Sequence, residues 1–218
     1  MNSSPDRAPS SLARTLLILL VALGATLAGA VTARYWLERR NAPPPTQVAA
    51  VYREPRALPA FELVTHEGAR FDAAALKGRW TLLFFGYTNC PDVCPATLAQ
   101  LAAVHRRLAD LPPAEALHVA MVSVDPARDT AARLAQYVPY FDRSFVGVTG
   151  TTQAVDTLTQ GLGVAVHRGE PVDGTYVVDH TAALFLIAPD ARLAAVFPTP
   201  HVPETIAADY RAIVGARR

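Results

Sequence analysis

Thr81-Leu82-Leu83-Phe84-Phe85-Gly86-Tyr87-Thr88-Asn89-Cys90-Pro91-Asp92-Val93-Cys94-Pro95 is the stretch from which the fold is read. It opens as an apolar run of strand length and passes through a Pro-containing loop. From about Pro95 it continues as a helical pattern, with Leu98, Leu101, Val104 and Leu108 at three- and four-residue spacing and a proline suited to a first turn. A buried strand followed by a helix delivers the intervening loop to the C-terminal edge of an α/β sheet, where such folds place their sites. The same loop holds both cysteines of the chain, four positions apart. Two thiols in one short loop can close as a structural disulfide, cycle as a redox dithiol, or bind a soft metal as thiolates.

Working outward, Phe61–Val64 and Gly68–Phe71 read as a short hairpin leading into a first core strand at Trp80–Phe85. His118–Val124 reads as a second buried strand, followed by Asp125-Pro126-Ala127-Arg128-Asp129-Thr130 and a helix over Ala131–Tyr137. A third strand is predicted at Phe145–Val148, and a helix at Thr152–Gly161 stopped by Gly161 and Gly163. Strands Ala183–Ile187 and Arg192–Phe197 meet at the turn Pro189-Asp190-Ala191, and a helix from about Val202 to Val214 closes the chain. Strands alternating with helices, then a hairpin and a helix, predict an α/β domain with a mixed central sheet, in the order of a thioredoxin-like fold.

At 218 residues the chain leaves, after its N-terminal segments, about 160 residues for one domain with a complete core, assigned to 58–218. A net charge of +1 with 18% charged residues provides neither a basic face for nucleic acid nor an acidic tail. Thr15–Ala33 carries no charge, and Tyr35 and Trp36 after it suit a membrane interface. The expected layout is a cytoplasmic N-terminus at 1–14, one transmembrane helix at 15–35, and a Pro-rich tether at 36–57 that includes Pro43-Pro44-Pro45. A cleaved signal peptide is the competing reading, because Ala28-Gly29-Ala30 resembles a cleavage site. Either way the C-terminal domain is expected to leave the cytoplasm. Arg7 and Arg14 precede the span while Arg34, Arg39, Arg40 and Arg53 follow it, so counting charges slightly favours the opposite orientation.

The cysteine spacing bears on chemistry. Thioredoxin-type dithiols use Cys-x-x-Cys, whereas this loop has one residue more; a disulfide remains geometrically open. The same spacing aims two thiolates in one direction; such a pair favours Cu(I) and also accepts zinc, and one added imidazole gives a Cys2His set able to accommodate Cu(II). Of six histidines, His180 is the strongest candidate: it precedes a strand and neighbours Asp179, which can orient the ring. His105 and His118 read as helix-surface and strand-start residues, His66 as a solvated turn residue, and His167 and His201 as weaker loop rivals. Met121, inside a Val-rich strand, reads as core.

With these residues in place the chain resembles the SCO/SenC family of membrane-anchored, thioredoxin-like copper proteins. The resemblance lies in Phe84–Pro95, Ser123–Thr130 and Tyr176–Thr181, and runs from about Leu58 to the C-terminus. It implies that Cys90, Cys94 and His180 ligate copper, as Cu(I), Cu(II) or both. It further implies delivery of copper to the dinuclear copper site of cytochrome c oxidase subunit II, from a domain on the periplasmic side of a bacterial inner membrane. A copper donor and a thiol reductant are the other implied partners. Asp92 and Asp179 would support the site or face a partner, and the Asp125–Thr130 segment would shape its loop and cap the next helix. One departure is visible: Ala191 stands where the family has a turn glycine, and alanine is expected to resist a positive φ. The alternative function is a thiol-disulfide oxidoreductase that reduces the cysteines of that same subunit, using Cys90 and Cys94 without His180; a structural disulfide in an exported adaptor is a third reading.

Overall fold

The computed structural model describes residues 11–40, 44–170 and 175–217; residues 1–10 of the expected cytoplasmic N-terminus (1–14) and 41–43 of the expected tether (36–57) lie outside them. Two compact units result, one ending at Ala42 and the other beginning at Pro43. The first is helix α1 (Ser11–Arg40). Its stretch Arg14–Trp36 has 23 residues and a mean hydropathy of 2.4, long and apolar enough to cross a membrane. Thr26 and Thr32 donate their hydroxyls to the carbonyls of Ala22 and Ala28 one turn back, at 2.8 and 2.7 Å, so neither breaks the apolar surface with an unpaired donor.

In chain order the second unit comprises β1 (Ala50–Ala57), β2 (Leu63–Thr65), β3 (Arg70–Phe71), β4 (Trp80–Gly86), α2 (Val93–Arg107) and β5 (Leu117–Ser123). Then follow α3 (Ala131–Tyr137), β6 (Val146–Thr149), α4 (Thr152–Leu162), β7 (Val166–Arg168), β8 (Val178–His180), β9 (Leu184–Ile187), β10 (Arg192–Phe197) and α5 (Pro203–Gly215). Eight strands form one mixed sheet in the order β1-β10-β9-β4-β5-β6-β2-β3, while β7 and β8 pair separately as a two-stranded ribbon. All seven residues of β4 are buried, because it lies between parallel β5 and antiparallel β9 with helices on the sheet faces; this is why it reads as a continuous apolar run. Helix α2 turns Cys94, Thr97, Leu98, Leu101 and Val104 inward at helical spacing, and His105, Arg106 and Arg107 in its last turn complement the helix dipole.

Three features differ from the sequence reading. Residues 50–57, expected in the tether, form β1, paired antiparallel with β10 through a register shift between Val51 and Arg56. Their burial follows no clean alternation, as an edge strand permits. The approach to β1 is pinned by the buried Asp209 of α5, whose carboxylate accepts the N–H groups of Gln47, Val48 and Ala49 at 2.7, 2.9 and 2.9 Å. The β7–β8 ribbon was not expected, and it places His180 on a strand rather than in a loop. Ala191 does adopt a positive φ, 59°, correcting the expectation that alanine resists one there; its N–H donates to Ala188 O at 2.9 Å and the residue is buried, so the closed hairpin outweighs the local cost.

Candidate metal centre

Gly86 ends β4, and the turn Tyr87–Cys90 closes with Cys90 N–H donating to Tyr87 O at 3.3 Å. A Cβ on Gly86 would lie 2.7 Å from the Phe84 ring and 3.1 Å from Cys94 Sγ, so the absent side chain is what lets the sulfur settle against the strand end. Cys94, in the first turn of α2, is fully buried, whereas Cys90 is half-buried; both are free thiols. The Cys94 N–H donates to Cys90 Sγ at 3.4 Å. Burial pushes the Cys94 thiol far above its ordinary range, so without metal it keeps its proton.

From 86 positions downstream, His180 brings Nε2 to 3.6 Å from Cys94 Sγ. Its Nδ1 lies 3.1 Å from Thr181 O, a carbonyl that can only accept, so Nδ1 carries the proton and Nε2 presents its lone pair to the sulfur. Burial lowers the His180 pKa and thereby favours this neutral form. The imidazole stands edge-on to the Phe84 and Tyr87 rings, at centroid distances of 6.4 and 6.2 Å. Asp179, expected to orient the ring, is exposed, and the orienting contact belongs to the Thr181 carbonyl. Asp92 occupies the N-cap position of α2 without a side-chain capping bond.

Cys90 and His180 line one open pocket of about 280 Å³ together with Tyr87, Pro91, Asp92, Val93, Val177, Val178, Asp179 and Ala182. Among the described residues no three His, Cys, Asp or Glu donors already converge as a closed metal cluster. The structure joins Cys94 to His180 directly and places Cys90 beside them on the pocket wall. Two sulfurs and a neutral imidazole nitrogen are a soft donor set, which suits a soft metal and disfavours magnesium or calcium.

The other histidines are engaged or remote. His105 Nδ1 meets Asp142 Oδ2 at 3.0 Å. The half-buried His66 accepts the Gly147 N–H at 2.8 Å, rather than standing free in solvent. His167 and His118 are exposed, while His201 is buried with Nε2 unpaired. Met121 is core, as expected. Sequence reasoning did not assign roles to Tyr87, Gly86 or the Thr181 carbonyl; only the adjacency of Gly86 and Tyr87 to the cysteine loop hinted at the first two.

The family model described as SCO1/SenC matches residues 50–215. The chain belongs to the SCO1/SenC family. A protein of Stutzerimonas stutzeri, named "Putative copper-binding protein", is 38% identical over 84% of this chain and 86% of its own length. Among solved structures, Bradyrhizobium japonicum ScoI with copper bound is 34% identical, with a TM-score of 0.65 over 72% of this chain and 99% of that one. Arabidopsis thaliana ScoI with copper bound is 28% identical, with a TM-score of 0.67 over 74% and 98%. The matched region begins at Ala50, the first residue of β1, so the SCO1/SenC domain includes the edge strand that the sequence reading placed in the tether.

Proposed function

We propose that this chain is a copper carrier that holds copper through Cys90, Cys94 and His180 and passes it to the dinuclear copper site of cytochrome c oxidase subunit II. The observation that carries the reading is the approach of the neutral His180 Nε2 to Cys94 Sγ beside a pocket that Cys90 shares. Two copper-bound relatives of this fold support the choice of metal. On this reading copper replaces the proton held by the buried Cys94 thiol, so loading releases protons and is favoured by rising pH. The stretch 15–35 of helix α1 anchors the chain in a bacterial inner membrane and the domain works in the periplasm, where a copper donor loads it and a reductant keeps its thiols reduced.

A second reading is favoured by the unequal exposure of the thiols. Cys90, the more exposed, accepts an N–H from the first turn of α2, the environment of an attacking sulfur. As a thiol-disulfide oxidoreductase, Cys90 thiolate attacks one sulfur of a target disulfide and frees the other as a thiolate. The freed target thiolate takes the Cys94 proton, and Cys94 attacks Cys90 Sγ, releasing the second target sulfur as a thiolate and leaving the Cys90–Cys94 disulfide for an external dithiol to reduce.

The test is anaerobic Cu(I) competition against a chromophoric chelator, using the reduced full chain in detergent micelles. One copper per chain, weakened by His180→Ala and lost in Cys90→Ser/Cys94→Ser, is the result expected of a carrier. Copper held no more tightly by the parent than by the double cysteine variant sinks that reading and leaves disulfide exchange, which His180→Ala should spare.

A further inference from the structure

The two sides of the donor set sit on segments far apart in sequence, yet both are tied to the turn that follows β5. On the cysteine side, Asp129 is fully buried. Its Oδ2 accepts the Thr88 N–H at 3.0 Å and its Oδ1 the Thr88 hydroxyl at 2.6 Å. That hydroxyl oxygen accepts Arg133 Nε at 2.6 Å, and the same guanidinium reaches Asn89 Oδ1 at 3.0 Å. Thr88 and Asn89 are the central residues of the turn that presents Cys90.

On the histidine side, Asp125 is 1% exposed and its Oδ1 accepts the Tyr176 hydroxyl at 2.6 Å. Its Oδ2 accepts from Arg128 Nε, and the Arg128 guanidinium lies 3.6 Å from the Tyr176 ring centroid and 5.8 Å from that of Tyr87. Tyr176 stands two residues before β8, the strand that carries His180. Tyr87 closes the loop by accepting the Val178 N–H at 3.5 Å and flanking the imidazole.

Within the turn the two sides are joined by a backbone bond, Asp129 N–H donating to Asp125 O at 2.9 Å, and by one hydroxyl. Ser123 Oγ, fully buried at the end of β5, donates to Asp129 Oδ2 at 2.7 Å and accepts the Asp125 N–H at 3.0 Å. Two buried carboxylates in one six-residue turn are costly unless each is fully hydrogen-bonded. Capping α3 does not require them, because Thr130 supplies that cap by accepting Arg133 N–H at 3.2 Å. We propose that the Asp125–Thr130 turn is a positioning strut for the metal centre, in which Asp129 sets the cysteine loop, Asp125 sets the histidine ribbon through Tyr176, and Ser123 fixes one to the other. The assignment rests on the copper-site reading for its purpose but not for its geometry.

The test uses the copper-free, reduced full chain in detergent micelles and follows two signals: the NMR resonances of the His180 ring, and the rate of Cys90 alkylation by iodoacetamide read by mass spectrometry. Tyr176→Phe, which keeps the ring on Arg128, should shift or broaden the His180 ring signals while leaving the alkylation rate within about twofold. Thr88→Val should do the reverse, changing alkylation by about fivefold or more with the His180 ring unmoved. Ser123→Ala should move both. A Ser123→Ala protein in which only one signal changes, or a Tyr176→Phe protein with an undisturbed His180 ring, overturns the strut. A copper arm adds a cycle: Tyr176→Phe should weaken Cu(I) retention by about fivefold in the parent and have no effect in the His180→Ala background. An equal effect in both backgrounds means that Tyr176 does not act through His180, and also overturns the proposal. If the parent holds no copper, the carrier reading falls, and the two copper-free signals still decide the strut.

Discussion

The cysteine side and the histidine side of this centre are built differently. Cys94 projects from a helix packed on a seven-residue, fully buried strand, with the sheet extending on both sides of it. His180 ends a three-residue strand paired only with another three-residue strand outside the main sheet, and both strands carry exposed positions. The contrast teaches that the proposed donor set is half fixed and half mounted on a small, separable ribbon. Local opening free energy follows buried contacts and protected backbone hydrogen bonds, and the ribbon has few of either.

The largest expected effect breaks the site itself. Cys94→Ser should reduce Cu(I) affinity by at least about 10³-fold and His180→Ala by about 10²-fold, equivalent to about 4 and about 2.7 kcal/mol; chelator competition reads both. Equal losses would erase the distinction between a fixed and a movable donor. Hydrogen exchange sharpens the same contrast without copper. Amides of β7 and β8 should exchange about 10²–10³-fold faster than those of β4 and β5, and equal protection would show that the ribbon is as firm as the sheet.

Damage far from the centre provides a control. Asp209→Ala leaves the three N–H groups of Gln47, Val48 and Ala49 without their acceptor and should cost about 2–4 kcal/mol in urea unfolding. Cu(I) affinity should stay within about twofold, since the edge strand is not part of the donor set. At the cysteine end, Gly86→Ala should displace Cys94 Sγ and weaken copper retention by about tenfold, with fold content unchanged by circular dichroism.

The smallest effect is that of pH. Burial lowers the His180 pKa, so the folded chain resists protonation there more than the unfolded chain does. Stability from this group is therefore complete above about pH 6.5 and declines as pH falls below it toward the folded-state value. Hydrogen exchange corrected for intrinsic rates should show the ribbon loosening at pH 5 relative to pH 7.5, with β4 and β5 unaffected. The reverse order would place the acid sensitivity elsewhere, for example at His201, which is also buried and whose pKa burial also lowers.

The same division governs what was legible in the chain. The β4–loop–α2 unit follows from its own residues, because a central strand must be apolar throughout and α2 marks its buried face by spacing. The mixed sheet, the closing hairpin and helix α5 were legible for the same reason. Strand β1 was not: Arg53, Glu54, Pro55 and Arg56 look like linker, and its place depends on the carboxylate of Asp209 far along the chain. The β7–β8 ribbon was missed because three-residue strands carry too few positions for alternation to show. His180 was singled out through its motif, whereas the carbonyl that orients it is a backbone atom with no sequence signature. The turn at Ala191 shows tertiary closure overriding a local preference.

On the proposed carrier reading, the unequal burial of the two sulfurs would give transfer a sequence of steps. An incoming acceptor would enter through the pocket lined by Cys90 and His180, whereas Cys94 has no exposed surface. Copper leaving by that route would exchange its bonds to the front donors first and part from Cys94 last. The proton returning to that buried thiol would then oppose rebinding, so the depth of one sulfur would act as a ratchet on the direction of hand-over.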